Sequence, residues 1–278
     1  MSDAVLYSQD GSIVTLTLNE PETRNALSDA IIEALVAACG RVNSDLGVSC
    51  VIVTGQGRSF SSGGNVKEME RRAGDVRESP AAMRRSYQQG IQRVPLALFN
   101  LEVPTIAAVN GHAIGAGLDL SLACDIRIAA EGAQFAESFL RVGIVSGDGG
   151  AWLLPRIVGV ARAYHMSLTA EPVDAATALD WTLVSAVVPV DRLMHEAVRL
   201  ARQIVRHPPQ AIRMCKRLLR ESETASLATS LELAAGMLTE LNHTEDSARP
   251  LLPSSVSDRR SIRGGDATDT SVFLPIGS

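Results

Sequence analysis

Two stretches of this chain, CVIVTG (residues 50–55) and TIAAVNG (residues 105–111), share one form: a short, mostly apolar run closed by glycine. A run without a charged face fits a strand buried on both sides. Each is followed by a glycine-rich turn and then a helical pattern, GQGRSFSSGGNVKEM after the first and GHAIGAGLDLSLACD after the second. The strand, turn, helix unit therefore repeats. Further buried strands are expected at residues 125–130 and 183–188. Repetition of this kind specifies an α/β architecture in which sites form at the carboxyl ends of strands.

The flanking segments fit the same frame. Val14, Leu16 and Leu18 alternate with Thr15 and Thr17, the period of a half-buried strand, so the first fifty residues read as a strand pair and a helix. Ser28 can cap that helix, and Ile31, Ile32, Leu35, Val36 and Cys39 form its apolar stripe. From about Asp191 helix formers dominate, with an amphipathic stretch to Arg206, a break at His207-Pro208-Pro209, and a second helix at residues 210–222. Residues 192–220 hold eight Lys/Arg and one acid, Glu196. This excess reads either as solvated helix faces or as part of the field around a phosphorylated ligand. The last thirty residues have no clear period and are expected to form a flexible tail.

Composition excludes several classes. With 278 residues and 46% apolar content the chain can bury a sizeable core. A net charge of −5 argues against a bulk electrostatic grip on nucleic acid. The longest uncharged run, between Glu102 and Asp119, is interrupted by Pro104 and Asn110 and is too short to span a membrane. The N-terminal residues carry no secretory pattern, so a cytoplasmic protein is expected. Cys39, Cys50, Cys124 and Cys215 are far apart, without a CxxC pair or histidine at ligand spacing. They read as reduced, mostly buried thiols, and no metal site is expected.

Phosphate-loop, nucleophile-elbow and zincin motifs are absent, and Gly115-Ala116-Gly117 has Leu120 where a dinucleotide fingerprint needs a third glycine. What remains is two turns that expose backbone N–H groups where a strand gives way to a helix. Such groups can hold a developing oxyanion, or the glycines can serve the turns alone. In this order and at this separation the two turns resemble the enoyl-CoA hydratase/isomerase family, the crotonases. The resemblance runs through NEPETRNAL (19–27), FSSGGNVKEM (60–69), PTIAAVNGHAIGAGLDLSLACDIRIA (104–129), the stretch 133–159 containing VGIVSGDGGAWLLPRIVG, and PPQAIRMCKRLLRES (208–222).

The resemblance implies a spiral of ββα units over residues 1–190 that binds acyl-CoA, a helical trimerisation region over 191–248, and a tail outside the family pattern over 249–278. A homotrimer or dimer of trimers is expected, with an acyl-CoA thioester as substrate, neither nucleic acid nor membrane as partner, and no cofactor beyond the coenzyme A that enters with the substrate. The family's oxyanion donors fall on the N–H groups of Gly64 and Ala116. Its coenzyme A contacts fall on Thr23, Arg24, Ser62 and Asn65. Its two hydratase glutamates fall on Asp119 and Phe139, and phenylalanine cannot transfer a proton. Its isomerase aspartate falls on Gly147, beside Asp148.

Asp119 and Asp148 are accordingly the catalytic candidates. Each also has a structural reading: Asp119 as a complement to a helix dipole, Asp148 as an organiser of its glycine turn. Glu137, two positions before Phe139, is expected to point elsewhere. One carboxylate beside an oxyanion hole suffices to move a proton along an enolate, which favours double-bond isomerisation. The alternatives are hydration using Asp119 and a catalytically weak acyl-CoA binder. His112 reads as a packed turn residue, and Trp152 and Trp181 as core or subunit-contact aromatics.

Overall fold

A computed structural model describes residues 4–64 and 79–243. The expected helical segment after Gly64 and the tail over 249–278 lie outside the described residues. Strands β1 (Val5–Asp10) and β2 (Ile13–Leu18) form an antiparallel pair. Helix α1 (Asp29–Ser44) follows, with the Ser28 hydroxyl accepting from the Ile31 N–H as its cap. The two signature runs become β3 (Cys50–Gly55) and β5 (Thr105–Val109), and β7 is Ile126–Ala130.

Each of these three strands is followed by a strand of three residues, β4 (Ser59–Ser61), β6 (His112–Ile114) and β8 (Gln134–Ala136). The unit is thus strand, short strand, helix rather than strand, turn, helix. Three residues are too few to show a period, which is why the short strands are hidden inside the glycine turns. Between β4 and β5 lie α2 (Pro80–Gln89) and α3 (Arg93–Phe99), and α4 (Ala116–Leu122) follows β6. Beyond β8 come α5 (Gly150–Val158), α6 (Val160–Thr169), β9 (Val173–Asp174), α7 (Ala175–Asp180) and β10 (Ala186–Val188). The described chain ends with α8 (Leu193–Val205), α9 (Pro209–Ser222) and α10 (Leu227–Asn242).

The long strands make one sheet in the order β1-β2-β3-β5-β7-β10, parallel apart from β1. The short ones make a second sheet, β4-β6-β8-β9, in which only β9 runs antiparallel. Because the chain steps from the first sheet to the second three times, it winds as a spiral of ββα turns.

Both faces of the large sheet are covered, which explains its unbroken apolar runs. Val51 and Val53 join the cluster that holds Ile31 and Leu35 of α1. Cys50 and Ile52 face the other way, with Ile106 and Ile128, onto Leu193, Ala197 and Ala201 of α8. Cys39, Cys50 and Cys124 are buried and Cys215 is exposed; burial pushes the three inner thiols up to about 12, so they are chemically quiet.

Three basic residues of α9 are used structurally. Arg213 donates to Glu102 Oε2 at 2.8 Å and to the Val48 carbonyl at 2.9 Å. Lys216 Nζ lies 2.7 Å from both Asp125 Oδ2 and the Val103 carbonyl, and Arg220 lies 3.3 Å from Asp125 Oδ1. Asp125 also accepts from the N–H and hydroxyl of Thr105. It therefore ties α9 to the start of β5. Asp125→Ala leaves the buried Lys216 ammonium without its anion, and urea unfolding should show a loss of about 3 kcal/mol.

Trp181 packs at the edge of the core, whereas Trp152 is not a core residue. Trp152 is 40% exposed, edge-on to Phe99 with Arg156 over its ring, and Trp181 is partly exposed beside His165. Among the described residues no helix is long and apolar enough to cross a membrane.

Candidate active site

The two glycine turns meet through their backbones. A Cβ on Gly117 would stand 2.4 Å from the Ser61 carbonyl oxygen, and one on Gly63 would stand 2.3 Å from the Ile114 carbonyl and 3.1 Å from the Ala116 nitrogen. Only glycine permits this approach. The Gly63 turn is thereby set against the N-terminus of α4, where Ala116 is buried. No acceptor takes the N–H of Gly64 or Ala116 among the described residues, so both donors remain available.

The first turn is also tied to the residues around 23–25. Ser62 donates its N–H to the Arg24 carbonyl at 2.9 Å and its hydroxyl to the Thr23 carbonyl at 3.1 Å. Buried Asn25 donates to the carbonyls of Gln56 and Ser59 and accepts from the Glu20 N–H, while the Ser61 hydroxyl bridges the Asn25 carbonyl and the Gly63 N–H. Arg24 and Asn25 both adopt the left-handed conformation, which Asn tolerates better than most residues. Thr23, Arg24, Ser62, Gly64 and Ala116 therefore belong to one assembly. Asn65 lies outside the described residues.

Asp119 sits in the first turn of α4, fully buried. Its Oδ2 accepts from the Ser146 hydroxyl and the Gly150 N–H, each at 3.0 Å. These bonds come from another element, so Asp119 does more than complement the helix dipole. Among the described residues Oδ1 has no hydrogen-bond partner. It faces Glu137, contrary to the expectation that Glu137 points elsewhere.

A Cβ at Gly150 would stand 2.2 Å from Asp119 Oδ1 and 2.4 Å from Glu137 Oε1, which together bound the separation of the two oxygens at 4.6 Å. Glycine at this position leaves room for both acids. Two carboxylates at that separation would repel by about 4 kcal/mol in a medium of effective dielectric ~20, so the pair favours holding a proton. Burial and the charge of Asp119 raise the Glu137 carboxyl far above its ordinary range.

Asp148, on the turn before α5, completes the cluster. It is 6% exposed, and burial, followed by the charge of Asp119, pushes its carboxyl up to about 7. Of the three acids it is the least enclosed. Phe139 packs against the other turn: a Cβ on Gly115 would stand 3.8 Å from its ring. An aromatic ring thus lies beside the Ala116 donor. His112 is exposed on β6 rather than packed in a turn.

The missed residue is Glu137. Its signal was the parity of β8: Phe135 is buried, and a strand continued two residues further places Glu137 on the same face. Among the described residues no group of three or more His, Cys, Asp or Glu side chains could hold a metal ion.

A model of the enoyl-CoA hydratase/isomerase family matches residues 8–253, and the chain belongs to that family. It is 36% identical to a 2,3-dehydroadipyl-CoA hydratase of Escherichia coli (strain K12) over 87% of this chain and 91% of that one. It is 33% identical to a 1,2-epoxyphenylacetyl-CoA isomerase of the same organism, over 84% and 88%. The crystal structure of an enoyl-CoA hydratase from Bacillus anthracis superposes with a TM-score of 0.81 at 32% identity, covering 88% of this chain and 93% of that one. Two of these relatives are hydratases and one is an isomerase. The chain is an enzyme of this family acting on acyl-CoA.

Proposed function

We propose that the enzyme shifts a double bond along an enoyl-CoA thioester, with Asp119 and Asp148 moving the proton and the N–H groups of Gly64 and Ala116 holding the enolate oxygen. The observation that carries this reading is Phe139, to which the family resemblance assigns the second hydratase glutamate and whose ring packs against the Gly115 turn. Removal of a proton next to a thioester, or return of one to the conjugated chain, develops charge on the carbonyl oxygen. Two preorganised donors favour that charge most in the transition state. One carboxylate can then take a proton at one carbon and return it at another. Water addition needs a group to activate water as well as one to supply the α-proton.

The turn at Thr23 and Arg24, with Ser62 and Asn65, is assigned to the coenzyme A end of the substrate. Arg24 offers a phosphate partner. Hydration is kept as a second reading because the 36% identical relative is named a hydratase. The deciding measurement follows enoyl absorbance: it should rise with 3-enoyl-CoAs and stay nearly constant with crotonyl-CoA and longer trans-2-enoyl-CoAs. Efficient loss with the latter would make the enzyme a hydratase.

The same reading has a cytoplasmic enzyme working as a trimer or dimer of trimers. Val160, Tyr164 and Leu168, spaced four apart on α6, form an apolar stripe more than 60% exposed in the single chain, and Leu227, Leu231 and Leu238 on α10 are each at least 60% exposed. A subunit contact would cover such stripes. Sedimentation should give a trimer or hexamer at micromolar protein, and a stable monomer would exclude this assembly.

A further inference from the structure

Glu137 is a buried acid that the proposed reaction does not use. It is 2% exposed, and among the described residues neither of its carboxyl oxygens has a hydrogen-bond partner. Oε1 and Asp119 Oδ1 crowd the same point over Gly150. The hydrogen bonds to this pair are one-sided: Asp119 Oδ2 receives both the Ser146 hydroxyl and the Gly150 N–H, and Glu137 receives none. In a buried pair of carboxyls the proton rests on the member whose anion is less well solvated by donors.

We propose that Glu137 is a positioning residue that stays protonated through the reaction and donates a hydrogen bond to Asp119 Oδ1, so that Asp119 stands as one oriented carboxylate with both oxygens engaged. This rests on the reading of Asp119 as a proton-moving base. The ionisable groups that act on Glu137 are Asp119 from α4 and Asp148 from the turn before α5, both acids, and both act with burial to keep its proton in place. Among the described residues, Asp119 accepts from Ser146 and Gly150 through Oδ2, and Glu137 is the side chain that meets Oδ1. Among the described residues, Asp119 Oδ1 is the polar atom that crowds Glu137 Oε1 over Gly150, so a neutral Glu137 is placed to lend it a donor.

The test pairs a spectroscopic readout with kinetics on the full-length enzyme. At pH 8 the infrared spectrum should contain the carbonyl stretch of a protonated carboxyl that disappears in Glu137→Gln. That variant keeps a neutral donor, so its kcat should remain within about threefold of the parent with the acidic limb of its pH profile in place. Glu137→Met keeps the volume but not the donor; its kcat should fall about tenfold or more with KM little changed, and its acidic limb should move to higher pH, because a charge-assisted hydrogen bond to Asp119 is gone.

Absence of the band at pH 8 would overturn the proposal, as would a Gln variant as impaired as the Met variant. If Glu137→Met does not fold, the band and the Gln profile decide the matter. A band that is present while both Glu137 variants and Asp119→Asn remain fully active would remove the positioning role because the base itself had been misassigned. The same band with only Asp119→Asn inactive would remove the positioning role and leave the base.

Discussion

Asp119→Asn should lower kcat for the isomerisation of a 3-enoyl-CoA by about 10²- to 10⁴-fold, the range associated with loss of a positioned general base, with little change in KM. The substitution keeps the shape and an acceptor for the Ser146 hydroxyl and the Gly150 N–H, so the cluster should survive it. Asp148→Asn should act on the same substrate. Because the charge of Asp119 contributes to raising Asp148, neutralising Asp119 also shifts the residual activity: any acidic limb governed by Asp148 should move below about 7. Rates measured from pH 5 to 9 on both variants test this. Undiminished isomerisation in both would show that neither carboxyl moves the proton.

Stability should move in the opposite direction from activity. The Asp148 carboxyl is raised from an ordinary 3.8 to about 7, so the folded state holds its proton more tightly than the unfolded chain does. Below pH 4 both states are protonated and the group is neutral in its effect. As pH climbs towards 7 the unfolded chain gains by ionising while the folded one does not, and the folded state loses ground until both are ionised. Asp148→Asn should therefore be more stable than the parent at pH 8 by on the order of 3 kcal/mol, with the gain fading towards pH 4. Denaturant unfolding at the two pH values measures it. Equal stability of parent and variant at pH 8 would show that burial leaves this carboxyl unperturbed. Glu137→Gln should show the same sign over a wider range, since Glu137 is raised further.

The sequence exposed different layers of this molecule unequally. Strands β3, β5 and β7 were readable because burial on both faces leaves continuous apolar runs, and α1 because Ser28 and a clean apolar stripe mark it. The short strands β4, β6 and β8 were not, since three residues carry no period and their glycines read equally well as turns. The two turns that carry Gly64 and Ala116 were visible as runs of small residues, and their meeting follows from the close approach that Gly63 and Gly117 permit. The carboxyl cluster was only half visible. Asp119 and Asp148 stood out by their positions, whereas Glu137 enters the cluster through the parity of β8 and the space left by Gly150, a contact between residues thirteen apart in sequence. The basic run over 192–220 was ambiguous because charge composition cannot say whether a guanidinium meets solvent, a ligand or, as for Arg213, a buried carbonyl.

The contacts at Gly63 and Gly117 have a consequence for how such an enzyme can change over evolutionary time. The spacing of the two N–H donors is set chiefly by main chain resting on main chain, with Asn25 and the Ser61 hydroxyl bracing the first turn. On the proposed reading, the carboxyls around that frame can differ in number and position, as Asp119, Glu137 and Asp148 converge on it from separate elements, while the two N–H groups keep their separation. New reactivity can be sampled one substitution at a time on a frame that tolerates almost none.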